Sequence, residues 1–280
     1  MKLYLYAKSG HSIGLDATRR CAAIASALQQ FDPILCTTDF RAGAYAKEEL
    51  GIKKYVSVDV LSNLPNIMER GDMLIYESDE ASDFMEKHMQ EFCSLLYKVG
   101  KDIPQTIINS ALFNTQNHTT KNEKAFFFGD DDYNNSLLQL CENETQQELP
   151  LQLGHYFFLG NNKKLAPYFS AILEEEEYID TINTTKYLLS GSVNACLESV
   201  ASGNYPVLFL REDKSYENIE LIEKMNIPIV AGNTLGEIIE NFNQVIENYP
   251  EITSFENANL ENVFNAIEKM FKRFEAIQKN

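Results

Sequence analysis

The chain has 280 residues, of which 44% are hydrophobic, and a formal net charge of −17, so it can hold one large or two ordinary buried cores. The charge excludes nucleic acid and anionic membranes as electrostatic partners, because polyanions are held by clustered Lys and Arg; any phosphate must be gripped locally. No apolar run approaches the ~20 residues that cross a bilayer, so no integral membrane segment is expected.

Taken in chain order, the opening MKLYLYAKSGHSIG reads as strand and loop rather than a signal peptide, which predicts a cytoplasmic protein. Residues 2–7 are β-rich, 8–16 form a loop, and 17–29 read as a helix, giving a first βα unit. Open α/β sheets place ligands in such loops, and this one holds Gly10, His11, Gly14 and Asp16. Strands are then expected at 33–38, 55–58 and 73–76, alternating with a helix at 42–50 and a helix or turn at 61–69, which predicts a parallel sheet. Glu77, Ser78 and Asp79 follow the last of these strands. A long amphipathic helix is expected over 81–98, with Phe84, His88, Phe92 and Leu95 on one face and His88 at a core edge. Residues 106–109 read as the last strand of this half, and the polar stretch 114–124 as a linker.

A second alternating series begins with the strand AFFFG, the loop DDDYNN and a helix at 135–141, followed by the strand HYFFLG, the loop NNKK and a helix at 165–173. The run Glu174 to Glu177 reads as a solvated helix end. Residues 184–211, TTKYLLSGSVNACLESVASGNYPVLFLR, form the most informative stretch: strand, tight turn, helix, turn, strand. The turn Ser190-Gly191-Ser192 lacks bulky side chains, so backbone N–H groups at the helix N-terminus, through Val193 and Asn194, can approach a diphosphate. Glu198 stands less than two turns further on, where a carboxylate can take both hydroxyls of a ribose. A plain strand-to-helix connection with a surface glutamate fits the same pattern. Helices at 215–225, 235–249 and 259–278 and a short strand at 229–231 complete the chain. The five cysteines, Cys21, Cys36, Cys93, Cys141 and Cys196, are scattered, lack metal-ligand spacing and fit reduced thiols.

The pattern G-S-x-x-x-x-x-E followed by G-x-x-P, with SIGLDATRRCAAIASAL and AFFFGDDDYNN, resembles the GT-B nucleotide-sugar enzymes, and within them the UDP-sugar hydrolase of pseudaminic acid synthesis and the related spore-coat polysaccharide proteins. The resemblance implies an α/β, GT-B-like fold: two Rossmann-like domains, 1–118 and 119–280, with parallel sheets facing across a cleft and a terminal helix returning to the first domain. It implies a UDP-sugar ligand, with Glu198 at the ribose and Gly129, Gly160, Asn161 and the turn Ser190 to Asn194 holding base and diphosphate. Gly10, Gly14, Arg20, Glu77 and Asp79 fall on the sugar side. No cofactor and no metal are expected, and Asp130, Asp131 and Asp132 read as turn or cap residues.

The N-terminal loop departs from the family pattern. The hydrolases carry a motif like I-G-x-G-H-x-x-R, in which the histidine is the favoured catalytic residue. Aligned on Ile13, Gly14 and Arg20, this chain reads I-G-L-D-A-T-R-R, with Ala17 at the histidine position. Lys8 stands where an aspartate is common, and Glu77, Ser78 and Asp79 where the family has Asp-x-Tyr. Alanine cannot transfer a proton, which leaves His11 and Asp16 as candidate catalytic groups, with Asp16 alternatively capping the next helix. Three functions remain open: a hydrolase of surface-glycan metabolism with rearranged catalytic groups, a glycosyltransferase with a sugar or protein acceptor, and a non-catalytic nucleotide-sugar-binding protein.

Overall fold

The computed structural model describes all residues except 117, 118, 157–159, 217, 254, 279 and 280. In chain order the elements are β1 (Leu3–Ala7), α1 (Asp16–Ala27), β2 (Ile34–Thr37), α2 (Phe40–Glu48), β3 (Tyr55–Ser57), β4 (Met73–Glu77), α3 (Asp83–Phe92), β5 (Leu95–Lys98), β6 (Asn122–Phe127), α4 (Ser136–Leu140) and β7 (Leu151–Gln152). There follow α5 (Asn161–Leu165), β8 (Ile172–Leu173), α6 (Tyr178–Thr184), β9 (Thr185–Ser190), α7 (Val193–Ala201), β10 (Tyr205–Phe209), α8 (Ile219–Lys224), β11 (Ile229–Val230), α9 (Leu235–Glu247) and α10 (Glu261–Gln278). The chain divides into two compact units: 1–10, 15–109 and 257–280 form the first, and 11–14 with 110–256 the second.

The first unit holds a five-stranded parallel sheet of order β3-β2-β1-β4-β5. Every residue of β1 and of β4 is buried, as expected for central parallel strands covered on both faces. Tyr4 and Tyr6 alternate onto one face, into a core with Cys36, Leu64, Leu74 and Tyr76. The alanine-rich α1 buries Ala22, Ala23 and Ala25, small side chains that let a helix lie close to a sheet. α10 belongs to this unit, where Phe264 and Phe271 bring their rings to 5.3 and 5.4 Å from that of Phe31.

The expected long helix over 81–98 is two elements. α3 stops because Cys93 turns extended (φ −84°, ψ 147°), and Leu95–Lys98 pairs with β4 as the edge strand β5. Lys98 is tied back to α3 by Glu86, whose carboxylate accepts from Lys98 Nζ at 2.9 Å and from the Tyr76 hydroxyl at 2.7 Å. Residues 106–109, expected as a strand, form none. His88 is exposed rather than at a core edge, its Nδ1 2.8 Å from the Phe84 carbonyl and its ring 4.1 Å from that of Phe84, which is itself 71% exposed.

The second unit holds a six-stranded parallel sheet of order β11-β10-β9-β6-β7-β8. One face buries Phe126, Leu189, Val207 and Phe209 against α4 and α9; the other packs Cys196 and Val200 of α7 with Leu208 and Ile222. The run of glutamates starts a helix instead of ending one: Glu174 and Glu177 form a reciprocal capping box that leads into α6. Over 165–173, expected as a helix, the chain forms only a 3-10 turn and then β8; α5 lies just before, in the stretch NNKK expected as a loop. The expected strand HYFFLG falls largely on 157–159, outside the described residues.

Candidate functional site

In the second sheet β6 and β9 lie side by side, and the chain winds outward from them in opposite directions. Such a switch point leaves a crevice beyond the strands' carboxyl ends, where doubly wound sheets hold ligands. The segments that leave β6 and β9 there carry Gly129 and Gly191. A Cβ on Gly191 would sit 2.3 Å from the Phe128 carbonyl oxygen; one on Gly129, whose φ is +133°, would sit 2.7 Å from Asp131 Oδ1. Gly154, which the sequence reading passed over, comes still closer: its Cβ would lie 2.2 Å from the Gly129 carbonyl oxygen. Backbone thus meets backbone at distances only glycine permits.

The turn itself is internally bonded. The Gly191 N–H donates to the Phe127 carbonyl at 2.9 Å, the Ser192 N–H to Ser190 Oγ at 3.1 Å, and the Ala195 N–H to Ser192 Oγ at 3.1 Å, with Ser192 as N-cap of α7. The N–H groups expected at phosphates from Gly191 and Ser192 therefore have protein acceptors. The donors that helix geometry directs outward begin at Val193, in the first turn of α7. Glu198 is turned inward and only 2% exposed: the Tyr178 hydroxyl donates to Oε2 at 2.6 Å and Asn194 Nδ2 to Oε1 at 2.8 Å. Tyr178, from α6, packs against Phe127 at 5.0 Å and carried no signal beyond a lone aromatic after four glutamates. Gly160 (φ +88°) precedes α5, and Asn161 is buried, its amide donating to Asn135 in the segment after β6.

Arg211, at the end of β10, is 4% exposed and threads between the two loop glycines. Its guanidinium donates to Asp131, to Asp213 at 3.0 and 2.8 Å, and to the Phe128 carbonyl at 3.4 Å, while lying 4.2 Å over the Phe128 ring. Lys214 adds a second cation to Asp131 at 2.8 Å. Burial disfavours the Arg211 charge, but Asp213 and Asp131 more than offset it, so its pKa lies above the ordinary value. The Tyr216 hydroxyl bonds the Gly191 carbonyl at 3.1 Å and so joins the same loop to the turn. The other two aspartates of this run act on backbone. Asp130 accepts the His155 N–H at 2.8 Å, and Asp132 accepts those of Ser136 at 2.6 Å and Leu137 at 3.4 Å; burial raises the Asp132 carboxyl above its usual range. Among the described residues no group of three metal-ligating side chains exists.

The structure divides the N-terminal candidates. Residues 11–14 belong to the second unit, where the exposed His11 ring stands 4.9 Å from that of Tyr156 and Gly14 (φ +83°) directs its Cβ position to 3.5 Å from the Cβ atoms of Asp130 and Asp131. Gly10 and Asp16 lie in the first unit. Asp16 opens α1 without capping it: Leu15 is the N-cap residue and accepts no side-chain bond, and the Asp16 carboxylate lies 3.5 Å from Arg19. The first sheet has its own switch point, between β1 and β4. Lys8 Nζ and the Asp79 carboxylate meet there at 2.5 Å, which holds the Asp79 carboxyl below its usual range. Lys8 and Asp79 thus compensate one another in charge. Beside them Arg20 and Glu77, both buried, form a multiple ion pair with contacts of 2.5, 2.9 and 3.1 Å. Burial opposes the Arg20 charge and Glu77 overrides it, raising its pKa.

No protein-family model matches the chain, and no curated protein sequence matches it. Solved structures do. A Listeria monocytogenes protein assigned as a UDP-N-acetylglucosamine 2-epimerase aligns over 98% of this chain and 97% of its own, with a TM-score of 0.61 at 11% identity. The UDP-GlcNAc 2-epimerase of Methanocaldococcus jannaschii, in complex with UDP-GlcNAc and UDP, covers 99% and 100% with a TM-score of 0.55 at 11% identity. That of Neisseria meningitidis, bound to UDP-GlcNAc, covers 98% and 100% with a TM-score of 0.52 at 14% identity. Among the described residues no helix is long and apolar enough to cross a membrane. Two parallel sheets in two units, matched from end to end by these epimerase structures, make this an α/β chain of the GT-B fold.

Proposed function

We propose that the chain binds a UDP-sugar at the switch point of its second sheet and hydrolyses it to release UDP. The observation that supports this most is the convergence of Gly129, Gly154 and Gly191 on one crevice, capped by the N-terminus of α7. The first turn of α7 brings its dipole to that crevice, which favours an anion in a protein whose net charge would otherwise repel it. The neighbours from Methanocaldococcus jannaschii and Neisseria meningitidis were solved with UDP-GlcNAc. In this reading the diphosphate lies over the first turn of α7. Glu198 takes the ribose by exchanging the Tyr178 hydroxyl for a ribose hydroxyl, which leaves the charge balance unchanged. Hydrolysis is assigned to His11 and Asp16, in the setting of surface-glycan metabolism suggested by segments 13–20 and 184–211.

A second reading, binding without turnover, is favoured by Ala17 at the histidine position and by the commitment of the Asp16 carboxylate to Arg19. Calorimetry with UDP, followed by measurement of UDP release from a panel of UDP-sugars with and without sugar acceptors, separates the readings. Loss of a general acid or base typically costs 10²–10⁴-fold in rate. His11→Ala or Asp16→Asn should therefore lower release by about that factor, whereas full activity in both removes them from the mechanism. Tight UDP binding with no release from any donor establishes the second reading, and release only with an acceptor makes the protein a transferase.

A further inference from the structure

An open sheet edge is a template on which another strand can pair. In the second sheet the edge strands β8 and β11 are only two residues long. In the first, β5 is engaged by the chain that follows it: the Lys98 N–H donates to Asp102 Oδ2 at 2.8 Å, and Val99 is bridged to Ile103. The edge that remains is β3, at the end of the order β3-β2-β1-β4-β5. Leu35 donates its N–H to the Lys54 carbonyl at 3.0 Å, and Val58 donates to the Thr37 carbonyl at 2.8 Å. Residues 54, 56 and 58 therefore face β2, and the N–H and C=O groups of Tyr55 and Ser57 point off the sheet.

The segment around this edge, KKYVSVD over 53–59, is complementary to itself. When two copies run antiparallel about a two-fold axis at Val56, Tyr55 of each stands opposite Ser57 of the other, and their outward N–H and C=O groups meet on both sides of the axis. In the same register Lys53 and Asp59, just beyond the strand ends, fall opposite one another. Both are exposed, and among the described residues no ion pair engages Lys53, whereas Lys54 is held by Asp32. A lysine at an edge ordinarily keeps strands apart; in this register it meets a carboxylate. Apolar surface follows the same line. Val56, 37% exposed, meets its own copy at the axis, and Phe40, 67% exposed, has its ring 6.1 Å from that of Tyr55.

We propose that the chain forms a two-fold dimer by antiparallel pairing of β3 with β3 of a second copy, with Lys53 of each paired to Asp59 of the other. The inference is independent of the nucleotide-sugar reading. The shared strand is short, so the dimer belongs to the transient class and should assemble with concentration. Sedimentation equilibrium of the full chain tests it, with Lys53→Glu, Lys53→Glu combined with Asp59→Lys, and Ser57→Pro. The wild-type mass should rise from one chain towards two between about 10 μM and about 1 mM. Lys53→Glu sets like charges opposite one another at both ends of the pairing and should weaken it by about tenfold, and the double exchange should restore it. Ser57→Pro removes an outward donor, which an edge strand tolerates; it should abolish the dimer and leave the urea transition of the monomer in place. Loss in Lys53→Glu with recovery in the double exchange establishes the pairing. A wild type that stays monomeric across that range, a dimer undiminished by Ser57→Pro, or a double exchange that restores nothing overturns it.

Discussion

Two buried glutamates, one in each unit, differ in what holds them. Glu77 closes β4 and is met by the Arg20 guanidinium in at least three short contacts. Glu198, in α7, is met by the hydroxyl of Tyr178 and the amide of Asn194, both neutral donors. An ion pair taken out of water is fixed, because either partner left alone is an uncompensated buried charge. A carboxylate held by neutral donors can exchange one hydroxyl for another without altering the charge of its surroundings. The ribose role proposed for Glu198 uses such an exchange, whereas at Glu77 the charge is matched by Arg20.

The strongest way to break this contrast is Arg20→Met. Leaving Glu77 buried without its cation should destabilise the first unit by about 3–5 kcal/mol, measured as a shift in its urea transition; a loss below ~1 kcal/mol would mean the pair is dispensable. Next comes Glu198→Ala, which should weaken UDP binding by about tenfold or more, from the loss of charge-assisted hydrogen bonds worth roughly 1.5–3 kcal/mol. Unchanged calorimetric affinity would remove Glu198 from the ribose role. Tyr178→Phe sharpens the same point. It vacates one acceptor position on Glu198, so UDP affinity should hold or rise a few-fold, and a tenfold fall would make Tyr178 a ligand contact instead.

The smallest effect concerns a third carboxylate, Glu86, held by the Tyr76 hydroxyl first and then by Lys98, with its carboxyl lowered from the ordinary 4.5 to about 2. A depressed folded-state value stabilises above the unfolded one, so the contribution is complete at neutral pH and fades as pH falls from 4.5 towards 2. After solvent screening it should amount to about 1 kcal/mol. Urea titrations of wild type and Glu86→Gln should differ by that much at pH 7 and converge in acid; a gap that persists in acid would assign the effect to packing.

Central strands were legible in the sequence because burial on both faces makes them continuous apolar runs, as in LYLYA and MLIYE. β5 was not: Leu95 prolongs the helical spacing of Phe84, His88 and Phe92, and only its pairing with β4 reveals a strand. At the candidate site, Gly129, Gly191 and the turn that opens α7 were legible because their chemistry is local, whereas Gly154 and the capping role of Ser192 were not. The partners of Glu198 and the Arg211 cluster were not, since Tyr178 is 20 residues from Glu198 and Asp131 is 80 from Arg211. An arginine directly after the run YPVLFL was the one available hint. The pattern also marked Glu198 as a ligand-facing carboxylate without showing that the fold turns it inward.

The first unit is assembled from residues 1–10, 15–109 and 257–280, so nearly all of the second unit is an insertion within it. This sets an order of events during synthesis. By the time Phe264 and Phe271 emerge to cover Phe31, every residue of the inserted unit has already left the ribosome and is free to fold. The earliest-begun unit is thus the last to be completed, because its closing helix follows the whole of the inserted unit in the chain.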